Sequence, residues 1–280
     1  MAGVRIVVDS AAELDNDVVQ SLGIQVVPWA VQVGSEQLID SPLLRTREFY
    51  ERVFRSRQTL ATTAPTTAQF TAVLERCARE GGSVVAVLSA STLTRSVDHA
   101  RRARSAFLGR CDVQIVDSQF ISCIQGELAV EAAKAAQLGM DAVEIVRLLN
   151  AMIAQSYWAF VVESPEVLLR NGLVENNAEY LGTPAGYKPL LLLEEGVVSP
   201  LPRSRRRGEP VERMVEFVGE FSHLRRLWTI SAGVHTGAGA LHDRLQEVLP
   251  EVPYTDHVYG PVVATCLGTT LLGVAAIESA

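Results

Sequence analysis

Hydroxyl side chains are concentrated in one short stretch of this sequence. Residues 59–70, TLATTAPTTAQF, contain five threonines and a proline directly before a pattern typical of an amphipathic helix. Capping explains some of them, because Thr66 and Thr67 are suitable residues for a helix N-terminus. A group of neutral donors without a fixed cation would also suit an acidic head group such as a carboxylate, held by hydroxyl and amide hydrogen bonds.

Three further hydroxyl-bearing segments follow predicted strands. In a parallel sheet the carboxyl ends of the strands meet at one edge, where α/β proteins bind their ligands. We therefore expect these segments to converge on one crevice, although Asp9 and Ser10 could also act only as helix caps. The segments are 9–13 (DSAAE), 88–96 (LSASTLTRS) and 116–122 (VDSQFIS).

Catalytic motifs are few. The sequence has no G-x-S-x-G motif and no pair of histidines at metal-ligand spacing, and His99 is the only histidine before His223. Residues 233–245, GVHTGAGALHDRL, suggest a phosphate-binding helix start, but they lack the lysine and Ser/Thr of a P-loop and are better explained as a turn. Because triads assemble in space, a hydrolase or phosphate-handling transferase using the hydroxyl crevice stays the alternative function. A histidine beside Ser10 or Thr62 would favour it.

Composition disfavours several classes of protein. The net charge of −7 repels nucleic-acid phosphates and anionic membranes, and no run of 18 apolar residues predicts a membrane span. The first residues run directly into a strand pattern, so we expect a cytoplasmic protein. The four cysteines, Cys77, Cys111, Cys123 and Cys266, form no C-x-x-C pair and predict neither disulfides nor a metal site.

Strand and helix patterns alternate along the first half of the chain. This alternation predicts an α/β fold with a mostly parallel sheet and right-handed crossovers. The alternating pattern ends near residue 155. A stretch rich in Gly, Pro and Asn follows, and further strand and helix patterns come after it. We predict an N-terminal α/β domain over residues 1–155 and a smaller C-terminal α/β sandwich over residues 156–280.

These segments resemble the DegV family of bacterial fatty-acid-binding proteins over essentially the whole chain. The hydroxyl-rich stretch falls where that family has Thr-Ser-Gln-Pro-Ser, with Thr62 at the threonine and Thr63 at the serine. Thr94 matches the second serine of the family's Ser-Ser-x-Leu-Ser-Gly-Thr segment. The other matching blocks are residues 6–34, 38–53, 113–146, 168–207 and 259–277.

The resemblance implies a two-domain DegV-like fold that holds a long-chain fatty acid in a tunnel between the domains. By that resemblance Thr62 and Thr94 bind the carboxyl group, and Thr63, Ser91 and Cys266 lie close by. It implies a non-enzymatic carrier whose only ligand is the acid, with no cofactor and no metal.

Family members that present the acid to a kinase carry a histidine and an arginine that this chain lacks. Cys266 stands at the histidine and Leu173 at the arginine, while Asn171 and Arg95 replace glycines. Both of the first two changes remove cations near the place where phosphate charge would develop. Delivery to a fatty-acid kinase would instead depend on a basic run, although most runs of this kind are only solvated surfaces. Its candidate docking residues are Arg203, Arg205 and Arg206.

Overall fold

The computed structural model describes residues 3–175, 188–201, 209–233 and 237–279. Within them lie three sheets. A four-stranded parallel sheet has the order β2-β1-β6-β7, a three-stranded antiparallel sheet the order β4-β3-β5, and a six-stranded mixed sheet the order β10-β9-β8-β13-β11-β12. The strands are β1 Arg5–Asp9, β2 Gln25–Val27, β3 Ala30–Val33, β4 Glu36–Ile39, β5 Leu60–Thr63, β6 Val84–Leu88, β7 Val113–Asp117, β8 Ser156–Val162, β9 Leu191–Glu194, β10 Val197–Pro200, β11 Leu224–Ser231, β12 Thr255–Val258 and β13 Leu271–Glu278.

Helices cover the sheets, as the alternating pattern predicts for an α/β protein. In the six-stranded sheet all neighbouring strands run antiparallel except β11 and β12. The described helices are α1 Asn16–Leu22, α2 Arg47–Ser56, α3 Thr67–Glu80, α4 Ser96–Arg104, α5 Ser122–Gln137, α6 Ala142–Ile153, α7 Glu166–Arg170, α8 Pro210–Gly219, α9 Ala238–Val248 and α10 Pro261–Leu267, with 3-10 turns at Ser10–Ala12, Pro42–Leu44 and Ser105–Phe107.

Strand alternation divides the core into layers. Val7 on β1 faces the cluster under α3 and α4, whereas its neighbour Val8 faces the opposite, larger cluster. On β8 Trp158 likewise points into that larger cluster, and Ala159 points to the cluster under α8 and α9. Because α5 contacts both β1 and β13, the two main sheets enclose one shared apolar layer.

At two places the structure differs from what the local sequence pattern predicts. The apolar run at residues 24–33 reads as one buried strand, but Pro28 lacks a backbone N–H and the chain divides there into β2 and β3, which belong to different sheets. The hydroxyl stretch reads as a loop, yet residues 60–63 form β5, which pairs with β3 and places Thr62 opposite Val31. The hydroxyl of Thr66 caps α3 through the backbone N–H of Gln69.

The proposed boundary at residue 155 falls between α6 and β8. All strands of the four-stranded and three-stranded sheets precede it, and all strands of the six-stranded sheet follow it. We call the parts before and after this point the first and second lobes. Their division into two domains stays a prediction, because the largest apolar cluster contains residues of both lobes.

Candidate functional site

Thr62 meets a residue that the sequence did not single out. Its Oγ1 lies 2.6 Å from Oγ1 of Thr265, which belongs to α10 in the second lobe. Both side chains are half-buried. The Thr265 hydroxyl also donates to the carbonyl of Val262, one turn earlier in the same helix, at 3.0 Å. The end of β5 and the helix α10 therefore form the first side of a hydroxyl network.

The second side of this network is formed by Thr94 and Ser89, after β6. Their hydroxyl oxygens are 2.9 Å apart, and the Ser89 hydroxyl donates to Oδ2 of Asp9 at 2.7 Å. Asp9 is completely buried at the carboxyl end of β1. Its oxygens also accept from the backbone N–H of Ala11 and of Ser89 and from the amide of Gln125. The predicted convergence of the DSAAE and SASTLTRS segments is thus present as one chain of hydrogen bonds.

Cys266 connects the two sides of the network. Its thiol is buried and donates to the carbonyl of Leu93, next to Thr94, at 3.9 Å. Burial, with a smaller effect from the negative charge of Asp9, raises the pKa of the Cys266 thiol to about 12. The residue at this position is therefore a neutral thiol that contributes no positive charge to the site.

Asn171 fixes the last turn of α10. Its side-chain amide donates to the carbonyls of Thr265 and Cys266, each at 2.9 Å. These carbonyls are among those that a helix C-terminus leaves without internal partners. Leu173, two residues later, packs against the large apolar cluster. Asn171 therefore holds the helix turn that carries Thr265, and Leu173 adds apolar surface beside it.

Thr63 and Ser91 lie differently from Thr62 and Thr94. Thr63 follows Thr62 on β5, so its side chain points to the opposite face of the strand, where it is exposed. Ser91 is exposed as well, and its backbone N–H donates to both carboxylate oxygens of Asp117. Arg203, Arg205 and Arg206 lie outside the described residues, as does His235. Thr62 and Thr94 thus each hydrogen-bond a neighbouring hydroxyl, and the Cys266 thiol bonds beside Thr94, whereas the exposed Thr63 and Ser91 stand apart from them.

A cavity of ≈190 Å³ with a mixed polar and apolar lining adjoins Asp9 and Ser10. Asp40 lines it, accepts a hydrogen bond from the Ser10 hydroxyl at 2.6 Å, and leaves its buried Oδ1 without a partner among the described residues. Burial raises the pKa of Asp40 to about 7, and the nearby negative charge of Glu13 adds to the shift against the opposing effect of the Ser10 hydrogen bond. Ser10 therefore serves this cavity and not the hydroxyl network.

A second polar cluster joins the two lobes at Glu13. Glu13 Oε2 accepts from the Ser122 hydroxyl at 2.5 Å and lies 2.6 Å from His257 Nε2, while its Oε1 accepts from the backbone N–H of Gly260. Burial opposes ionisation of Glu13, but the hydrogen bond and charge of His257, helped by Arg45, hold its pKa below the ordinary value. Sequence reasoning missed this cluster, because residues 13, 122 and 257 share no motif.

This grouping of serine, histidine and glutamate does not have the geometry of a catalytic triad. In a triad the serine and the carboxylate contact opposite nitrogens of the histidine ring. Here Ser122 and Glu13 both contact Nε2 of His257, and Ser122 is completely buried. Among the described residues no histidine hydrogen-bonds Ser10 or Thr62; His99, the nearest in sequence to the network, faces the carbonyl of Pro65 at 2.7 Å. These contacts do not favour the hydrolase alternative.

The comparisons identify the family. The family model described as "Uncharacterised protein, DegV family" matches residues 3–279. The chain belongs to the DegV family. A DegV domain-containing protein of Halalkalibacterium halodurans is 28% identical over 277 residues, which cover 98% of each chain. Protein DegV of Bacillus subtilis is 25% identical over 276 residues, covering 97% of this chain and 98% of the relative.

Solved DegV structures share the fold. One is the structure of a DegV family protein from Thermus thermophilus, which is described as showing fatty acid binding. It has a TM-score of 0.84 at 24% identity, and the match covers 99% of this chain and 100% of the Thermus chain. DegV of Bacillus subtilis, described as a fatty acid binding protein, has a TM-score of 0.84 at 23% identity, with both chains covered completely. A stearic acid-binding protein from Eubacterium ventriosum has a TM-score of 0.81 at 18% identity and covers 98% of each chain.

Two features are absent from the described part of this DegV chain. None of its helices there is long and apolar enough to cross a bilayer. Over the same residues, no group of three or more His, Cys, Asp and Glu side chains is arranged to hold a metal ion.

Proposed function

We propose that this protein binds a long-chain fatty acid without transforming it, with the head group at Thr62 and Thr94. The observation that carries the proposal is the hydroxyl network between β5, β6 and α10. The network borders the largest apolar cluster of the protein, against which Leu93 and Leu173 are packed. A polar end and an apolar surface thus meet at one place.

The expected energetics agree with a lipid ligand. Burying about 14 methylenes at about 0.8 kcal/mol each gives about 11 kcal/mol before the losses of association. The polar end of such a chain must find hydrogen-bond partners, because an unpaired buried polar group costs several kcal/mol. The related proteins from Thermus thermophilus and Bacillus subtilis, described as binding fatty acids, support the assignment. We infer that the tail occupies a tunnel between the lobes.

Mass spectrometry of organic extracts tests this function. Protein purified without added lipid should release one acyl chain per molecule. The double variant Thr62→Val and Thr94→Val should release much less, whereas Thr71→Val should match the parent protein, because the Thr71 hydroxyl bonds only within α3. Absence of stoichiometric lipid from the parent protein, together with no uptake of added fatty acid, would rule the function out.

We extend the proposal to presentation of the acid to a fatty-acid kinase in the cytoplasm. Its support is the run Arg203, Arg205 and Arg206, which lies outside the described residues. Cys266 and Leu173, in place of cations, count against it. An acyl-phosphate assay with a kinase from the same cell decides the matter: turnover that is lost on changing the three arginines to glutamine supports docking, and absence of turnover leaves lipid binding alone.

A further inference from the structure

The direction of the Ser89 and Thr94 hydroxyl protons can be deduced from their acceptor at Asp9. Asp9 accepts four hydrogen bonds, so its oxygens act only as acceptors. The single hydroxyl proton of Ser89 is directed to Asp9, and Ser89 can therefore only accept from Thr94. The proton of Thr94 is thus engaged within the protein. What Thr94 offers to a ligand is a lone pair.

The hydroxyl proton of Thr62 is likewise engaged within the protein. Thr265 donates to the carbonyl of Val262, so the short contact between the two threonine hydroxyls is completed by the proton of Thr62. Thr62 accordingly also has only lone pairs left for a ligand. The thiol proton of Cys266 is engaged within the protein as well, by the carbonyl of Leu93.

The charged groups around this network do not supply the hydrogen-bond donor that the two threonine hydroxyls lack. Asp9 lies directly behind Ser89 and within electrostatic reach of Cys266. Asp117 binds the backbone of Ser91, and His99 faces the Pro65 carbonyl. The two arginines adjacent to site residues, Arg95 and Arg170, are exposed and make none of the hydrogen bonds that link the described hydroxyls.

We propose that this site selects an acyl chain with a neutral head group that donates a hydrogen bond, namely a protonated carboxylic acid or a fatty alcohol, over a carboxylate. The inference depends on the proposed function and specifies the ligand's chemistry. A carboxylate is an acceptor only, and it would meet two lone pairs and the negative charge of Asp9. A neutral O–H group donates to Thr94 or Thr62 and leaves the network intact.

A matched pair of ligands tests the selection. Delipidated protein is titrated with hexadecanoic acid and with hexadecanol over a pH series. Hexadecanol should bind at about pH 8 at least as tightly as the acid, with a Kd independent of pH. The Kd of the acid should rise about tenfold for each pH unit above its own pKa, because only the protonated form is bound. The acid-to-alcohol ratio of Kd values within one preparation cancels any loss of folded protein.

Variants locate the effect in the network. Thr265→Val removes the acceptor of the Thr62 proton and frees this proton to donate to the ligand. The Kd of the acid at about pH 8 should therefore decrease about tenfold relative to the Kd of the alcohol. Ser89→Ala removes the hydroxyl acceptor of the Thr94 proton and leaves it only the long contact of 3.4 Å to the backbone carbonyl of residue 89, so it should act in the same direction. Thr71→Val should leave the ratio unchanged.

Each remaining outcome has a distinct meaning. A pH-independent Kd for the acid, tighter than that for the alcohol, would preserve fatty-acid binding and overturn the selection. If that binding were lost in Arg95→Gln, the carboxylate would be assigned to Arg95. Binding of neither ligand would overturn the proposed function and this inference together.

Discussion

Glu13 Oε2 lies 2.6 Å from His257 Nε2, joining the turn after β1 in the first lobe to β12 in the second. Ser122 and the backbone of Gly260 share the same carboxylate. Three groups from two distant parts of the sequence therefore meet at the buried carboxylate of Glu13. Glu13 adopts a left-handed backbone conformation, with φ of +53°, to reach this position.

Removing the charge of Glu13 should weaken the connection between the lobes. We expect Glu13→Gln to lower the free energy of unfolding by about 3–5 kcal/mol at neutral pH, as for a buried pair that loses one partner. Since the pKa of Glu13 is lowered in the folded protein, its contribution is present above the ordinary value of 4.5 and is lost as the pH falls. Denaturant unfolding across a pH series measures the difference between the two proteins.

The matched control is Glu36→Gln. Glu36 pairs with Arg52 on the surface, where both side chains are about half exposed, and its loss should cost at most about 1 kcal/mol at any pH. Equal effects of the two substitutions at neutral pH would contradict a structural role for the Glu13 cluster.

Asp40 should destabilise the protein at high pH. Its pKa is raised from 3.8 to about 7, so the folded protein favours the protonated form; the resulting stability is complete below the unfolded value and is lost as the pH rises through about 7. The full cost of ionisation is up to about 4 kcal/mol. Asp40→Asn should therefore raise the thermal midpoint at about pH 8 relative to the parent protein and change it little near pH 4.

For comparison, Asp112→Asn alters an exposed carboxylate that accepts from the amide of Gln114. It should leave the pH dependence of the thermal midpoint unchanged. The thermal midpoint of the parent protein should decrease from about pH 5 to about pH 8 relative to that of Asp40→Asn. If it does not, the buried-acid interpretation is refuted.

The amide of Asn171 should be needed for both stability and binding. Asn171→Ala removes two hydrogen bonds to the end of α10 and should cost about 1–2 kcal/mol. Asn171→Asp should cost more, because a carboxylate would face two carbonyl oxygens. Both changes loosen the turn that carries Thr265, so the dissociation rate of an acyl ligand should rise in the same order. An aspartate variant as stable as the parent protein would show that the contact has no energetic role.

A side chain at position 126, which is now glycine, should destabilise the folded protein. A Cβ at this position of α5 would lie 2.5 Å from the carbonyl oxygen of Ala12, a backbone atom in the turn that precedes Glu13. We expect Gly126→Ala to cost about 1–3 kcal/mol, measured by denaturant unfolding. Gly219→Ala, near the end of α8, meets nothing within 4 Å and should be neutral. Similar losses in both variants would contradict the steric explanation.

The sequence was informative about periodic elements and less so about their partners. Alternation and capping residues predicted most of the longer helices and the strands of the parallel sheet, but not the helix α2, and Thr66 is the N-cap that the hydroxyl stretch suggested. The division of the apolar run into two strands at Pro28 could have been predicted, since proline lacks the N–H that a continuous strand requires. The strand β5 was not, because its four residues show no clear period and its pairing with β3 is a long-range contact.

The candidate site was predicted in part. Motif resemblance selected Thr62, Thr94 and Cys266, whose side chains each form a hydrogen bond in the structure, although ligand binding itself stays a prediction. Thr265 carried one usable signal, its position next to Cys266. The partners Asp9 and Ser89 depend on two strands ending at the same sheet edge, and their connection becomes visible only when the strands are placed side by side.

The apolar layer shared by the two sheets limits how a ligand can enter and leave. Val8 and Ile124 of the first lobe belong to the same cluster as Trp158 and Ile277 of the second. Swinging the lobes apart as rigid halves would bring this whole surface into contact with water, at a cost that grows with the area exposed. Exchange of a bound molecule should therefore proceed through small displacements of short segments at the rim, leaving the protein closed throughout.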